Sequence, residues 1–136
     1  MTITRLNPDT LHKNPAFTQV AVIDPAATLI YVGGQNAVNR DGEIVGKDIA
    51  TQTVQAMNNV VAALEAAGAT LKDVFKMTIY IVQGQPLQEG FAASQQFAEL
   101  STHPPTISGI FVAGLAHPDF LVEIEAVAAT QQGSSQ

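Results

Sequence analysis

Apolar positions recur at three- and four-residue steps between residues 49 and 64, which predicts an amphipathic helix. Asp48 precedes the first apolar position and can accept a hydrogen bond from an unpaired amide of the first turn. Gly68 follows the last one and can adopt the left-handed conformation in which helices often end. The apolar stripe consists of Ile49, Thr53, Met57, Val60, Val61 and Leu64.

Other segments have the short apolar runs or the alternation that are typical of strands. The runs at 19–24 and 29–33 flank Pro25-Ala26-Ala27, so they predict a hairpin with a short turn. Residues 40–43 predict a second turn. Three further strands are predicted at residues 74–82, 106–112 and 120–129. 

A second helix is predicted from Pro86 to about Leu100, and His103-Pro104-Pro105 should end it. The resulting order is β-β-α-β-α-β-β, with room for a short strand at the N-terminus. Two helices cannot cover both faces of a mixed sheet of five or six strands. We therefore expect an α+β fold with both helices on one face of the sheet.

The last predicted strand has two different faces. Phe120, Val122, Ile124, Ala126 and Ala128 form an apolar face that suits the helices. The opposite face combines two carboxylates with two aliphatic side chains: Leu121, Glu123, Glu125 and Val127. That mixture is what we expect of a subunit contact that contains a polar pocket.

The chain has 136 residues, so one domain is expected, at 1–130, followed by a small, polar and flexible tail at 131–136. The absence of cysteine excludes disulfides, thiolate nucleophiles and cysteine-ligated metals. No apolar run is long enough for a transmembrane helix, and the first residues lack the apolar segment of a signal peptide. These features indicate a cytoplasmic protein without a membrane partner.

Charged residues make up 13% of the chain, against roughly 25% in an average domain. Burial of part of the surface in an oligomer would explain the deficit, and a monomer rich in Ala and Gln is the alternative. The net charge is −6, and no Lys or Arg follows Lys76. Nucleic-acid binding needs clustered cations, so no nucleic-acid partner is expected.

Glu123 and Glu125 are the main candidates for chemistry. They lie two positions apart, so on a strand both side chains leave the same face. Paired carboxylates can act as acid and base, and no Lys or Arg is close to them in sequence. The alternative is a pair of solvated glutamates. The three histidines lack the spacing of metal ligands, so no metal site is expected.

Gly33 and Gly34 follow an apolar run and permit a close approach to the backbone, by a ligand or by a neighbouring strand. In this context Tyr31-Val32-Gly33-Gly34-Gln35 and Gly42-Glu43-Ile44-Val45 resemble segments of the Rid family of reactive-intermediate deaminases. The passage at 66–74 and the segment Val122-Glu123-Ile124-Glu125-Ala126 are similar to that family as well. The resemblance covers nearly the whole chain in order.

The resemblance implies a chorismate-mutase-like α+β fold and a homotrimer with small-molecule clefts between the subunits. In the best-known members, water attacks an imine or enamine made by pyridoxal-phosphate enzymes, and ammonia and a 2-oxo acid are released. The protein itself uses no cofactor in that reaction.

The site residues of the family match only in part. Glu123 stands at the position of the water-activating acid, and Gly34 at a backbone position of the cleft. The family's Pro-x-Arg tripeptide is replaced by Pro105-Thr106-Ile107, which puts Ile107, or Thr106 in a shifted register, at the arginine position. Three further ligand-binding positions carry less polar residues, with Phe17 for a tyrosine, Gly33 for a hydroxyl residue, and Phe91 or Gly90 for an asparagine.

Two functions remain open from the sequence. The chain can be a hydrolase of an imine, enamine or similar neutral metabolite in which Glu123 activates water, with doubtful activity on 2-iminopropanoate. Alternatively, it can be a non-catalytic family member that binds a metabolite or regulates a partner.

Overall fold

A computed structural model describes residues 1–131, so the predicted tail at 131–136 lies outside the described residues except for Gln131. Within these residues six strands and three α-helices follow one another, and a 3₁₀ turn at Leu71–Asp73 precedes the fourth strand. The elements are β1 (Ile3–Leu6), β2 (Val20–Ile23), β3 (Thr28–Gln35), α1 (Ile49–Ala66), β4 (Val74–Val82), α2 (Leu87–Ser94), α3 (Ala98–Thr102), β5 (Thr106–Val112) and β6 (Val122–Thr130).

The strands form two sheets rather than the single sheet of five or six strands that the sequence predicted. β1 and β2 form a two-stranded sheet, and the other four strands form a sheet in the order β3-β6-β4-β5. This larger sheet is mixed, as expected, because β4 and β5 are parallel while β6 runs antiparallel to both of its neighbours. 

The predicted hairpin between residues 19–24 and 29–33 is wrong. A turn does form there, since the amide of Ala27 donates to the carbonyl of Asp24 at 3.0 Å. However, β2 pairs with β1 and β3 pairs with β6, so this turn carries the chain from one sheet to the other. Adjacent apolar runs favour a hairpin locally, but here the partners of both strands come from distant parts of the chain.

α1 forms as predicted. The Asp48 carboxylate accepts a hydrogen bond from the amide of Thr51 at 2.7 Å, and this bond lowers the pKa of Asp48. Gly68 ends the helical segment with a φ of 77°. The buried stripe of α1 packs on the apolar side of β6, where it forms the core with Val122, Ile124, Ala126 and Ala128.

The second predicted helix is divided into α2 and α3. The break lies at residues 95–97, where the amide of Phe97 bonds to the carbonyl of Ser94 at 3.1 Å. This segment has few apolar positions and contains Gly90 and Gln95-Gln96, so little packing energy holds a continuous helix on the sheet. No residue of α2 or α3 is buried.

The larger sheet therefore has two distinct faces. The helix face carries the side chains of β4, β5 and β6 that pack toward the helices, including Met77, Ile107 and Ile124. The open face carries the alternate side chains, including Glu123 and Glu125. None of the helices in residues 1–131 is long and apolar enough to cross a membrane.

Candidate functional site

The two candidate carboxylates lie on the open face in the middle of the larger sheet. Both lie on β6, where Glu123 is opposite Tyr80 of the neighbouring strand β4 and Glu125 is opposite Thr78. Both glutamates are half-buried, whereas Glu99 is exposed. Because β6 is bordered by β3 and β4, both carboxylates are presented on a rigid part of the fold.

Asn36 holds the Glu123 side chain. Its Nδ2 donates to Glu123 Oε1 at 3.3 Å and to the carbonyl of Val122 at 3.1 Å. Asn59 of α1 donates in turn to the carbonyls of Asn36 and Val38, at 3.0 and 2.8 Å. The helix therefore fixes the segment that carries Asn36, and Asn36 orients the carboxylate.

Gly34 lies directly against Glu123. A Cβ at position 34 would lie 2.7 Å from Glu123 Cδ and closer still to Oε2, so a larger residue could not occupy this position without displacing the carboxylate. The β3–β6 register shifts between Val32 and Gln35, which brings this part of the backbone out of regular pairing. The close approach that the two glycines suggested is therefore made by a side chain of β6.

Glu125 has a different partner. The hydroxyl of Tyr80 donates to Glu125 Oε1 at 2.9 Å. This hydrogen bond, followed by desolvation and the charges of Glu125 and Glu123, raises the pKa of Tyr80 above its ordinary value of 10.0. Tyr80 therefore stays a neutral hydrogen-bond donor at physiological pH.

Neither carboxylate forms a salt bridge within residues 1–131. Lys76 shares the open face and lines a small pocket of about 250 Å³ with Tyr31, Thr78 and Glu125. Lys76 is opposite Val127, which lies four residues along β6 from Glu123, so the backbone positions of Val127 and Glu123 are about 13 Å apart. Within residues 1–131 the surroundings of Glu123 thus offer a carboxylate and an amide but no cation that could pair with an anion.

The remaining predicted ligand residues lie elsewhere. Phe17, Phe91 and Ile107 line a cavity of about 700 Å³ between the helices and the helix face. Ile107 pairs with Met77, whereas Thr106 pairs with Lys76 and is on the same face as Glu123. The structure therefore brings Gly34 and Glu123 together and separates both from Phe17, Phe91 and Ile107. Gly33 has no such contact, because a Cβ at this position would meet no atom within 4 Å.

Sequence reasoning missed two residues of this site. The local sequence could not identify Asn36, because its hydrogen bond to Glu123 forms only when β6 lies beside the end of β3. Tyr80 stands on the polar side of the alternation in β4, which places it on the face of the glutamates but does not reveal its hydrogen bond to Glu125. Among residues 1–131 no group of His, Asp and Glu is arranged to hold a metal ion.

Known proteins are similar to this chain over most of its length. A family model described as Endoribonuclease L-PSP matches residues 9–130. A RutC family protein of Pyrococcus horikoshii is 35% identical over 105 residues, which are 76% of this chain and 80% of that protein. The 2-iminobutanoate/2-iminopropanoate deaminase of Escherichia coli strain K12 is 34% identical over 101 residues, which are 74% of this chain and 78% of that protein.

The fold is similar to solved structures as well. The crystal structure of YyfB from Yersinia pestis, described as a protein of unknown function of the conserved Rid protein family, superposes with a TM-score of 0.85. The two sequences are 33% identical, and the match covers 96% of this chain and 100% of the YyfB chain.

Proposed function

Because the chain belongs to the Rid family, the family of the Endoribonuclease L-PSP model, we propose that it is a hydrolase of small neutral imines or enamines. In this proposal the chain forms a homotrimer, the substrate lies in a cleft between subunits on the open face, and Glu123 activates water. The reaction needs no cofactor. It releases ammonia and leaves a carbonyl compound.

The environment of Glu123 is the observation that carries the proposal. The carboxylate is half-buried, its bonded neighbour Asn36 is a neutral donor, and no salt bridge engages it within residues 1–131. A carboxylate placed in this way can act as the general base toward a water molecule bound beside it. The adjacent Gly34 leaves the carboxylate next to bare backbone.

The chemistry balances without a further reactant. Glu123 accepts a proton from water as the water oxygen bonds to the imine carbon, and the same proton then reaches the nitrogen. Glu123 then takes the hydroxyl proton of this adduct and passes it to the amino nitrogen, so the carbon–nitrogen bond breaks as ammonia leaves and the carbonyl forms. An enamine first tautomerises to the imine, in which its carbon gains a proton and its nitrogen loses one, and the same steps follow.

The charge around the site argues for neutral substrates. The family's arginine position is held by Thr106, which lies on the open face beside Lys76, or by Ile107, which lies on the helix face. In either alignment β5 offers no arginine to a ligand beside Glu123. An anionic 2-imino acid would meet a carboxylate where the family's arginine would pair with it. Loss of such a charge-assisted contact costs about 2–5 kcal/mol, a factor of roughly 30 or more in rate.

Glu123→Gln tests the role of Glu123, and Glu125→Gln is its matched control on the same face of the same strand. We expect Glu123→Gln to slow ammonia release from a neutral imine formed in situ by roughly 10²-fold or more. Glu125→Gln should retain most of the activity, and 2-iminopropanoate should react much more slowly than the neutral imine. Equal rates for wild type and Glu123→Gln, both above the uncatalysed rate, would contradict the proposal.

The second candidate is a non-catalytic member that binds a metabolite or regulates a partner. The separation of Phe17, Phe91 and Ile107 from Glu123 favours it, because a binding site away from Glu123 has no use for water activation. Ammonia release by the wild-type protein no faster than the uncatalysed reaction would support this candidate.

A further inference from the structure

We propose that the cavity between the helices and the sheet is a binding site for an uncharged, largely apolar small molecule. The cavity of about 700 Å³ is walled by the loop at 14–17, by α1, by α2 and α3, and by the helix face of β4, β5 and β6. This volume is in the range of small-molecule sites in proteins. The inference rests on the cavity alone and holds whether or not Glu123 is catalytic.

The position of α2 creates the cavity. At Gly90 the helix touches α1, since a Cβ there would lie 3.3 Å from Ile49 Cγ1. Elsewhere α2 stands away from the sheet, and its apolar residues Leu87 and Phe91 remain 48% and 49% exposed although both line the cavity. An amphipathic helix usually buries such side chains against its sheet, so a ligand that filled this space would complete their packing.

The lining selects the chemistry of the ligand. None of the described residues that line the cavity is charged, and the polar ones are neutral, such as Thr53, Ser94 and Gln95. An ion would lose its hydration there without gaining a partner. The rings of Phe17 and Phe91 favour an aromatic or cyclic aliphatic molecule, and the neutral side chains can bond a hydroxyl, carbonyl or amide group on it.

The sheet separates this cavity from the carboxylates. Val122 and Ile124 line the cavity from the helix face, and Glu123 between them lies on the open face. Binding in the cavity is therefore independent of the Glu123 carboxylate, which gives the two proposals different tests.

Methionine methyl groups report directly on the cavity. Of the three methionines, Met57 and Met77 line it, and Met1 is 97% exposed. We expect the uncharged probe N-phenyl-1-naphthylamine to shift the ¹³C-methyl NMR signals of Met57 and Met77 and to leave Met1 unchanged. The anionic probe 1-anilinonaphthalene-8-sulfonate should cause the same shift only at a concentration at least about tenfold higher, because the residues that line the cavity include no cation.

Gly109→Leu should fill the cavity, since Gly109 lines it and a Cβ there meets nothing within 4 Å. We expect this substitution to weaken binding of the neutral probe at least about tenfold. Gly114→Leu, at a glycine with equal free space outside the cavity lining, should leave binding unchanged. If Gly109→Leu does not fold, Ile107→Phe reduces the same volume from the same strand and serves instead.

Absence of a methyl shift at Met57 and Met77 up to the solubility of the neutral probe would overturn the proposal. So would undiminished binding by a folded Gly109→Leu or Ile107→Phe protein. Glu123→Gln should bind the probe as the wild type does, so a protein that releases no ammonia can still support this inference, and an active enzyme can still refute it.

Discussion

Contact with a side chain, rather than backbone conformation, restricts the residue at position 34. Gly34 does not have a positive φ, so alanine could adopt its backbone conformation. The restriction comes from Glu123, which occupies the space that a Cβ would need, whereas the adjacent Gly33 has nothing within 4 Å of that space. The two neighbouring glycines therefore provide a direct test of the Gly34–Glu123 contact.

Gly34→Ala should destabilise the protein by about 0.5–1.5 kcal/mol, because the Glu123 carboxylate has to move away from its hydrogen bond with Asn36. Gly33→Ala should be nearly neutral. In a Glu123→Ala background most of the penalty of Gly34→Ala should disappear, since the clashing carboxylate is gone. Urea unfolding of the four variants measures these free energies, and an equal penalty in both backgrounds would show that Glu123 is not the obstacle.

The sequence indicated some site residues and misplaced others for a physical reason. Glu123 and Gly34 belong to local segments whose pattern fixes the face on which they lie. At residues 104–107 the resemblance left two registers open, and a shift of one residue on a strand moves a side chain to the opposite face. The pairing of β5 with β4 places Thr106, and not Ile107, on the face of Glu123.

α1 is linked to the start of β6 by one buried side chain. Gln52 is only 1% exposed, and its Nε2 donates to the carbonyls of Gly46 and Asp119 at 3.1 and 2.9 Å. Its Oε1 accepts from the amide of Leu121 at 2.9 Å. Gln52 thus satisfies three backbone groups and holds the segment that leads into Glu123.

Gln52→Leu should destabilise the fold by about 2–4 kcal/mol, because buried backbone groups lose their partners at about 1–3 kcal/mol each. Gln55→Leu is the control on the same helix, since Gln55 is half-buried and bonds only to the side chain of Asn59 among the contacts described. Thermal and urea unfolding give both values. Equal stability of the two variants would contradict the role assigned to Gln52.

Elements with strong periodicity were predicted well, and elements whose form depends on distant partners were not. α1 and β4 have regular apolar spacing and appear where it indicated. The separation of β2 from β3 depends on β1 and β6, which no local pattern near residue 25 reveals. The break between α2 and α3 lies where apolar positions are sparse, so the pattern there could not fix the length of the helix.

The open face exposes apolar side chains together with the carboxylates. Tyr31 is 74% exposed, and Leu29 and Ile110 on the same face are exposed as well. A chain with only 13% charged residues gains from covering such a surface. Contact between copies of this face would bury the aromatic and aliphatic groups and enclose Glu123 in a cleft, as the proposed trimer requires.

Light scattering should give about three times the chain mass of 14.3 kDa for the wild type. Tyr31→Glu should dissociate the assembly, because it places a charge on the buried apolar surface. Leu11→Glu, at an exposed apolar residue outside the larger sheet, should leave the mass unchanged. A concentration-independent mass of one chain for the wild type would rule out an intersubunit cleft.

The place of β6 between β3 and β4 has a consequence for synthesis on the ribosome. In the described part of the chain β3 is an edge strand of the larger sheet with β6 beside it, and about 90 residues separate the two strands. At about 5–20 residues per second, β3 emerges roughly 4–20 s before its partner. During that interval the nascent chain carries an unpaired apolar strand with both edges free, so elongation time sets how long the chain is open to aggregation or to a chaperone.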